Sequence, residues 1–147
     1  KALCLLWGNS TDFSVNDWGC GDGRLLDFLP QCKYRGYDIN KHDVEGFVLS
    51  DTPTEIADYT VASGLFNVKG GITHSEWVQY FLGSIGVMNE KSFKGFGFNM
   101  LSSFCDRRDA GLFYVFPYHI LEHCRQYGRA SLLNFYSKWD ATILVHK

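Results

Sequence analysis

Asp17 and three glycines at alternate positions, Gly19, Gly21 and Gly23, follow a short apolar lead, and a second acid, Asp38, closes the next apolar run. Glycines so spaced let a ligand approach the backbone where a Cβ would collide. A carboxylate roughly 20 residues further on stands where it can accept hydrogen bonds from both hydroxyls of a ribose. An apolar lead, a glycine turn, a helical stretch and a second apolar run make a strand–turn–helix–strand unit suited to a nucleoside-containing ligand. The glycines fall as G-x-G-x-G and not as the G-x-G-x-x-G of dinucleotide sites.

Holding these residues in place takes strands alternating with helices. Ser14 to Trp18 is predicted as the first strand, and Arg24 to Leu29 as an apolar-faced helix stopped by Pro30. Tyr34 to Asp38 and Gly46 to Leu49 follow as strands, the latter ending at Ser50-Asp51. Tyr59 to Ser63 is the fourth, with Gly64 to Asn67 as the loop at its carboxyl end. Thr73 or Ser75 caps a helix that carries Trp77, Tyr80, Phe81, Ile85 and Met88 at helical spacing. Lys94 to Leu101 alternates as a fifth strand, and Ser102 to Phe116 is a charged loop. Pro117 opens a helix through Tyr127, stopped by Gly128. Leu132 to Phe135 and Ala141 to Val145 form a closing pair.

This order implies an α/β fold with a single, doubly wound, mostly parallel sheet and a C-terminal antiparallel hairpin. Ligands of such sheets lie at the carboxyl ends of strands where the strand order reverses. That rule gathers Asp17 to Gly23, Asp38-Ile39, Asp51 and Ser63 to Asn67 around one cleft.

The run Asp17-Trp18-Gly19-Cys20-Gly21-Asp22-Gly23 resembles the first motif of class I S-adenosylmethionine-dependent methyltransferases, an acid, any residue, then G-x-G-x-G. The likeness extends from about Ser14 to the chain end and is most specific at this motif. It implies S-adenosyl-L-methionine as cofactor. Gly19, Cys20 and Gly21 would face its methionine part, Asp38 would grip the ribose, and Ile39 would lie against the adenine. Asp51 would accept the adenine amino hydrogens, and Ser63, Gly64 and Leu65 would close the floor under the sulfonium. A pyrophosphate site rejects nearby negative charge, whereas a ligand with a sulfonium and an ammonium tolerates Asp17. Plainer roles compete: Asp38 as a helix cap, Asp51 as a turn residue before Thr52-Pro53, Gly64 as a strand end. The family normally carries one or two helices ahead of its first strand. Residues 1–147 are therefore expected to form one domain lacking those N-terminal helices, and a start at Lys1 reads as a fragment or a trimmed chain.

The activity implied is in-line displacement on an activated methyl, in which alignment supplies most of the acceleration. A general base helps only if the acceptor must lose a proton. His119 is a candidate base, with Tyr118 beside it. Arg107 and Arg108 either bind an acidic group on the acceptor or pair with Asp106 and Asp109. Asn67 either contacts an acceptor or bonds its own backbone. Ser63-Gly64-Leu65-Phe66-Asn67 lacks the N/D-P-P-Y/F motif of enzymes acting on adenine or glutamine amino groups, which leaves a small-molecule acceptor. His119-Ile120-Leu121-Glu122-His123 fits the H-x-x-E-H pattern of inverted zinc peptidases. Such a site needs a third ligand, and only Asp140 follows, so no metal is expected. A nonenzymatic domain that keeps the fold as a scaffold is the alternative, and a nicotinamide-dependent oxidoreductase is disfavoured by the glycine spacing.

Composition narrows the partners. Hydrophobic residues make up 46% and charged residues 20% of the 147, a globular balance. A net charge of -2 gives no basic field for nucleic acid. Ala2 to Trp7 is too short for a signal peptide or a membrane span. Five cysteines without C-x-x-C spacing argue against a disulfide framework or a zinc site and for a reduced, cytoplasmic setting.

Overall fold

A computed structural model describes residues 2–134 and 136–147. Eight strands form one sheet: β1 (Ser14–Trp18), β2 (Lys33–Asp38), β3 (Phe47–Leu49), β4 (Ala57–Ala62), β5 (Ser92–Ser102), β6 (Tyr114–Val115), β7 (Arg129–Leu133) and β8 (Asp140–His146). The order is β3-β2-β1-β4-β5-β8-β7, and β6 pairs with the end of β5. Strands β1 to β6 pair in parallel, while β8 lies antiparallel between β5 and β7. The strand order reverses between β1 and β4, so the carboxyl ends of these two strands open the cleft.

The sheet buries both faces. On one, Phe96, Phe98 and Met100 of β5 and Ile143 and Val145 of β8 pack against Phe81, Ile85 and Met88 of α1 (His74–Glu90) and Ile120 and Cys124 of α2 (Pro117–Cys124). Phe66, Phe81, Phe98 and Phe113 interlock there edge to face, with centroids 4.7 to 5.8 Å apart. Burying such a ring is worth about 1.5–3 kcal/mol. On the other face Val15, Tyr59, Val61 and Leu144 meet Leu3, Leu6 and Trp7. Leu3 and Leu6 come from a single 3-10 turn, Ala2–Leu6. Gly97 admits that turn: a Cβ there would stand 2.9 Å from Leu144 Cδ2 and 3.3 Å from Leu3 Cδ2.

Several elements depart from the sequence-based expectation. The helix expected over Arg24 to Leu29 is one 3-10 turn, Arg24–Phe28. Leu29 is extended at ψ 140, as a residue preceding proline tends to be, and Pro30 cannot continue a helix. The loop Ser102 to Phe116 contains β6, too short to show a period. The helix from Pro117 ends at Cys124 and tightens into a 3-10 turn, Arg125–Tyr127. The expected strand end at Phe135 lies outside the described residues. Thr73, rather than Ser75, caps α1, in a capping box with Glu76.

The β5–β8 ladder leaves no room at Gly95, where a Cβ would meet Val145 O at 2.3 Å. Gly95→Ala is therefore expected to destabilise the protein by about 3 kcal/mol. By circular dichroism its Tm should fall by roughly 10 °C. An unchanged Tm would show that the ladder yields at this point.

Candidate functional site

The turn after β1 is built by backbone conformations that side chains resist. Gly19, Gly21 and Gly23 sit at φ 74°, 51° and 76°. Gly19 and Cys20 both donate their N–H groups to Tyr37 O, at 2.7 and 3.1 Å, which ties the turn to β2. Gly21 N–H donates to Asp38 Oδ2 at 3.1 Å, and Asn40 N–H to Asp38 Oδ1 at 2.9 Å. Asp38 thus anchors the glycine turn and its own loop; His42 Nε2 also lies 3.6 Å from Oδ1, and Oδ2 keeps a second lone pair for a ligand.

Ile39, Asn40, Ser50, Asp51, Ser63, Gly64, Leu65 and Tyr80 join Trp18, Gly19 and Asp38 around a cavity of about 390 Å3. Trp18 Nε1 donates to Asp51 O at 2.8 Å, pinning the loop after β3 to the end of β1. Gly64 N–H donates to Asn99 Oδ1 at 2.6 Å. A second cavity, of about 400 Å3, lies under the glycine turn and is lined by Asp17, Cys20, Gly21 and Phe28 among others. The two share Gly19 and Ser63, so they are halves of one cleft. All ten residues expected at the cofactor line one half or the other. No Cβ built at Gly21 or Gly64 would meet a heavy atom within 4 Å.

Asp17 is 2% exposed, accepts from Tyr34 O–H at 2.9 Å through Oδ2, and has no partner for Oδ1. Burial pushes its carboxyl up to about 6; the Tyr34 hydrogen bond opposes the shift and the Asp38 charge adds to it. The same burial, with Asp17 alongside, holds the Tyr34 phenol well above its ordinary value. Burial first, then Asp17, lifts the Cys20 thiol to about 11, so Cys20 acts as a small apolar wall.

The sign of the Asp17 shift has a consequence for stability. The folded chain keeps a proton up to about pH 6 that an unfolded aspartate releases near pH 4. Asp17 therefore lowers stability as pH rises across that window and removes nothing below it. The stability difference between wild type and Asp17→Asn, from urea unfolding, should move toward the variant by about 2–3 kcal/mol between pH 4 and pH 7. A constant difference would mean that the carboxyl titrates normally.

The structure does not bring Tyr118 and His119 to this cleft. Tyr118 is 50% exposed beside Phe104 and Phe116. His119 lines a different cavity with His74 and His123. Arg107 pairs with Asp109 at 3.7 Å, while Arg108 donates to Ser103 O and lies over the Tyr114 ring. Asn67 uses its backbone, donating to Gly64 O and accepting from Phe113 N–H, and its Oδ1 is buried without a partner. Trp18, Asn40, Ser50 and Tyr80 were missed as lining residues. The first three adjoin residues that were singled out. Tyr80 sits at core spacing on α1 yet is 40% exposed.

No protein-family model matches the chain. A Mycobacterium tuberculosis protein provisionally named as a methyltransferase, Rv1506c, is 36% identical over 161 aligned positions, covering 95% of this chain and 96% of its own. Among solved structures, magnesium protoporphyrin IX methyltransferase from Synechocystis, with S-adenosylmethionine bound, superposes with a TM-score of 0.67 at 12% identity, over 99% of this chain and 76% of its own. The N-methyltransferase NodS of Bradyrhizobium japonicum does so at 0.66 and 12%, over 99% and 92%. The 1,6-didemethyltoxoflavin-N1-methyltransferase of Burkholderia thailandensis, holding 1,6-didemethyltoxoflavin and S-adenosylhomocysteine, gives 0.63 and 14%, over 99% and 76%.

Proposed function

Since this chain belongs to the class I S-adenosylmethionine-dependent methyltransferases, we propose that its two-part cleft holds S-adenosylmethionine and serves methyl transfer to a small molecule. The observation that carries this reading is the convergence of Asp17, Gly19, Cys20, Gly21, Asp38, Ile39, Asp51, Ser63, Gly64 and Leu65 on one cleft. The open space at Gly21 and Gly64 and the orphaned Asp17 Oδ1 fit a ligand with a slender, cationic end.

When bound, the cofactor supplies an electrophilic methyl on a sulfonium. The chain's own residues then bind and align. Asp38 would accept from the ribose hydroxyls, and Ile39 would cover the adenine. Asp51 would accept the adenine amino hydrogens. Asp17 faces the methionine end, where a nearby ammonium favours its charged form. Ser63, Gly64 and Leu65 would form the floor below the sulfur, and alignment rather than proton transfer would provide the rate. The solved neighbours are named for magnesium protoporphyrin IX and 1,6-didemethyltoxoflavin, which supports a small molecule here. Residues 1–147 act as one domain in this reading. No helix among the described residues is long and apolar enough to cross a membrane, and five free cysteines support a reducing cytoplasm.

The test is turnover. Wild-type protein incubated with S-adenosylmethionine and a panel of small phenols, amines and carboxylates should release S-adenosylhomocysteine in an acceptor-dependent manner. Tight cofactor binding with no release above background for any acceptor would favour a scaffold.

A further inference from the structure

A cavity of about 370 Å3 opens between α1, β6 and α2, and it shares no lining residue with the cofactor cleft. That volume lies in the range of small-molecule sites. Its apolar wall includes Phe81, Phe113 and Phe116, and three imidazoles, His74, His119 and His123, face it. No carboxylate lines it. The His74 ring lies tilted against Phe113 and the His119 ring edge-on to Phe116, with centroids 5.3 and 4.8 Å apart. Neither ring has a hydrogen-bond partner among the described residues. An imidazole offers at least one N–H donor in either protonation state, so two exposed donors at the aromatic wall are open to a ligand.

Two further features point the same way. Phe116 belongs at once to the cavity and to a surface cluster with Phe104 and Tyr118. These three rings are 40% to 50% exposed and touch one another, which makes a platform at the cavity's edge. Arg108 lies over Tyr114, another lining residue, at 5.9 Å. On the flanking helices Glu122 pairs with Arg125, while Glu76 caps α1 through Thr73 and keeps its charge outside the cavity lining. The imidazoles do not make a metal centre: among the described residues no group of three His, Cys, Asp or Glu could hold one.

We propose that this cavity is a second small-molecule site, which takes a planar aromatic carboxylate. Its ring lies against Phe81, Phe113 and Phe116, and its carboxylate accepts from the imidazole N–H groups. Aromatic rings favour such offset or edge contacts, and a carboxylate in place of a neutral group strengthens each hydrogen bond. This site is independent of how the cofactor cleft is read.

The full chain is titrated with 2-naphthoate by calorimetry, with naphthalene-2-carboxamide and cyclohexanecarboxylate as controls. Saturable one-to-one binding of 2-naphthoate is expected, at least tenfold tighter than either control. The double variant His74→Ala/His119→Ala, at two exposed positions, should weaken it at least tenfold. Val78→Trp, which fills the cavity, should abolish it. Asp38→Ala and saturating S-adenosylhomocysteine should leave it unchanged. Absence of saturable binding, equal affinity for the amide, or competition by S-adenosylhomocysteine would overturn the proposal. If Val78→Trp does not fold, the histidine pair alone decides.

Discussion

Replacing Asp38 with alanine should weaken S-adenosylmethionine binding by roughly 10- to 100-fold, the effect of losing about 1.5–3 kcal/mol of hydrogen bonding to a charged group. The side chain of Asp38 is 14% exposed at the end of β2. It already holds Gly21 N–H and Asn40 N–H, so truncation removes both the ribose acceptor and the anchor of the glycine turn. Asp38→Asn keeps one carbonyl oxygen and should fall between wild type and alanine. Calorimetric titration of each variant, with thermal unfolding to establish folding, makes the comparison. Unchanged affinity in a folded Asp38→Ala protein would remove this residue from the site.

A larger loss still is expected from Gly21→Val. At φ 51° with no heavy atom within 4 Å of a built Cβ, Gly21 borders open space that a branched side chain would fill. Binding should drop by more than 100-fold. The left-handed backbone would cost about 1–2 kcal/mol of stability, which leaves a folded protein to titrate. Gly19 makes a poorer probe, because its Cβ would stand 3.0 Å from Leu65 Cδ1 and so disturb the fold and the floor together. Tight binding by the valine variant would place the ligand elsewhere.

How far the chain could be read in advance depended on how local each signal was. Strand β1 matches its expected bounds, since the polar run Asn9 to Asp12 and a glycine turn punctuate it within a few residues. The mostly parallel, doubly wound sheet followed from alternating elements, and the final antiparallel pair from two strands joined by a brief turn and from the family resemblance. The cleft residues were legible because the turn, Asp38 and Asp51 all close strands that end on the same edge. Three things were not. The Arg24–Phe28 segment had a helical apolar pattern, but a glycine at one end and Leu29-Pro30 at the other leave space for a single turn. Strand β6 has only two residues, held by the end of β5. Tyr118 and His119 follow a long loop whose path sets their distance from the cleft, and sequence spacing carries no information about that path.

Calorimetric titration of the chain with S-adenosylmethionine, S-adenosylhomocysteine and NADH shows whether the cleft is a site for the sulfonium cofactor. Micromolar binding of the first two with none of NADH is the predicted result. A folded chain that binds neither sulfur compound, or that takes NADH in their place, would contradict it.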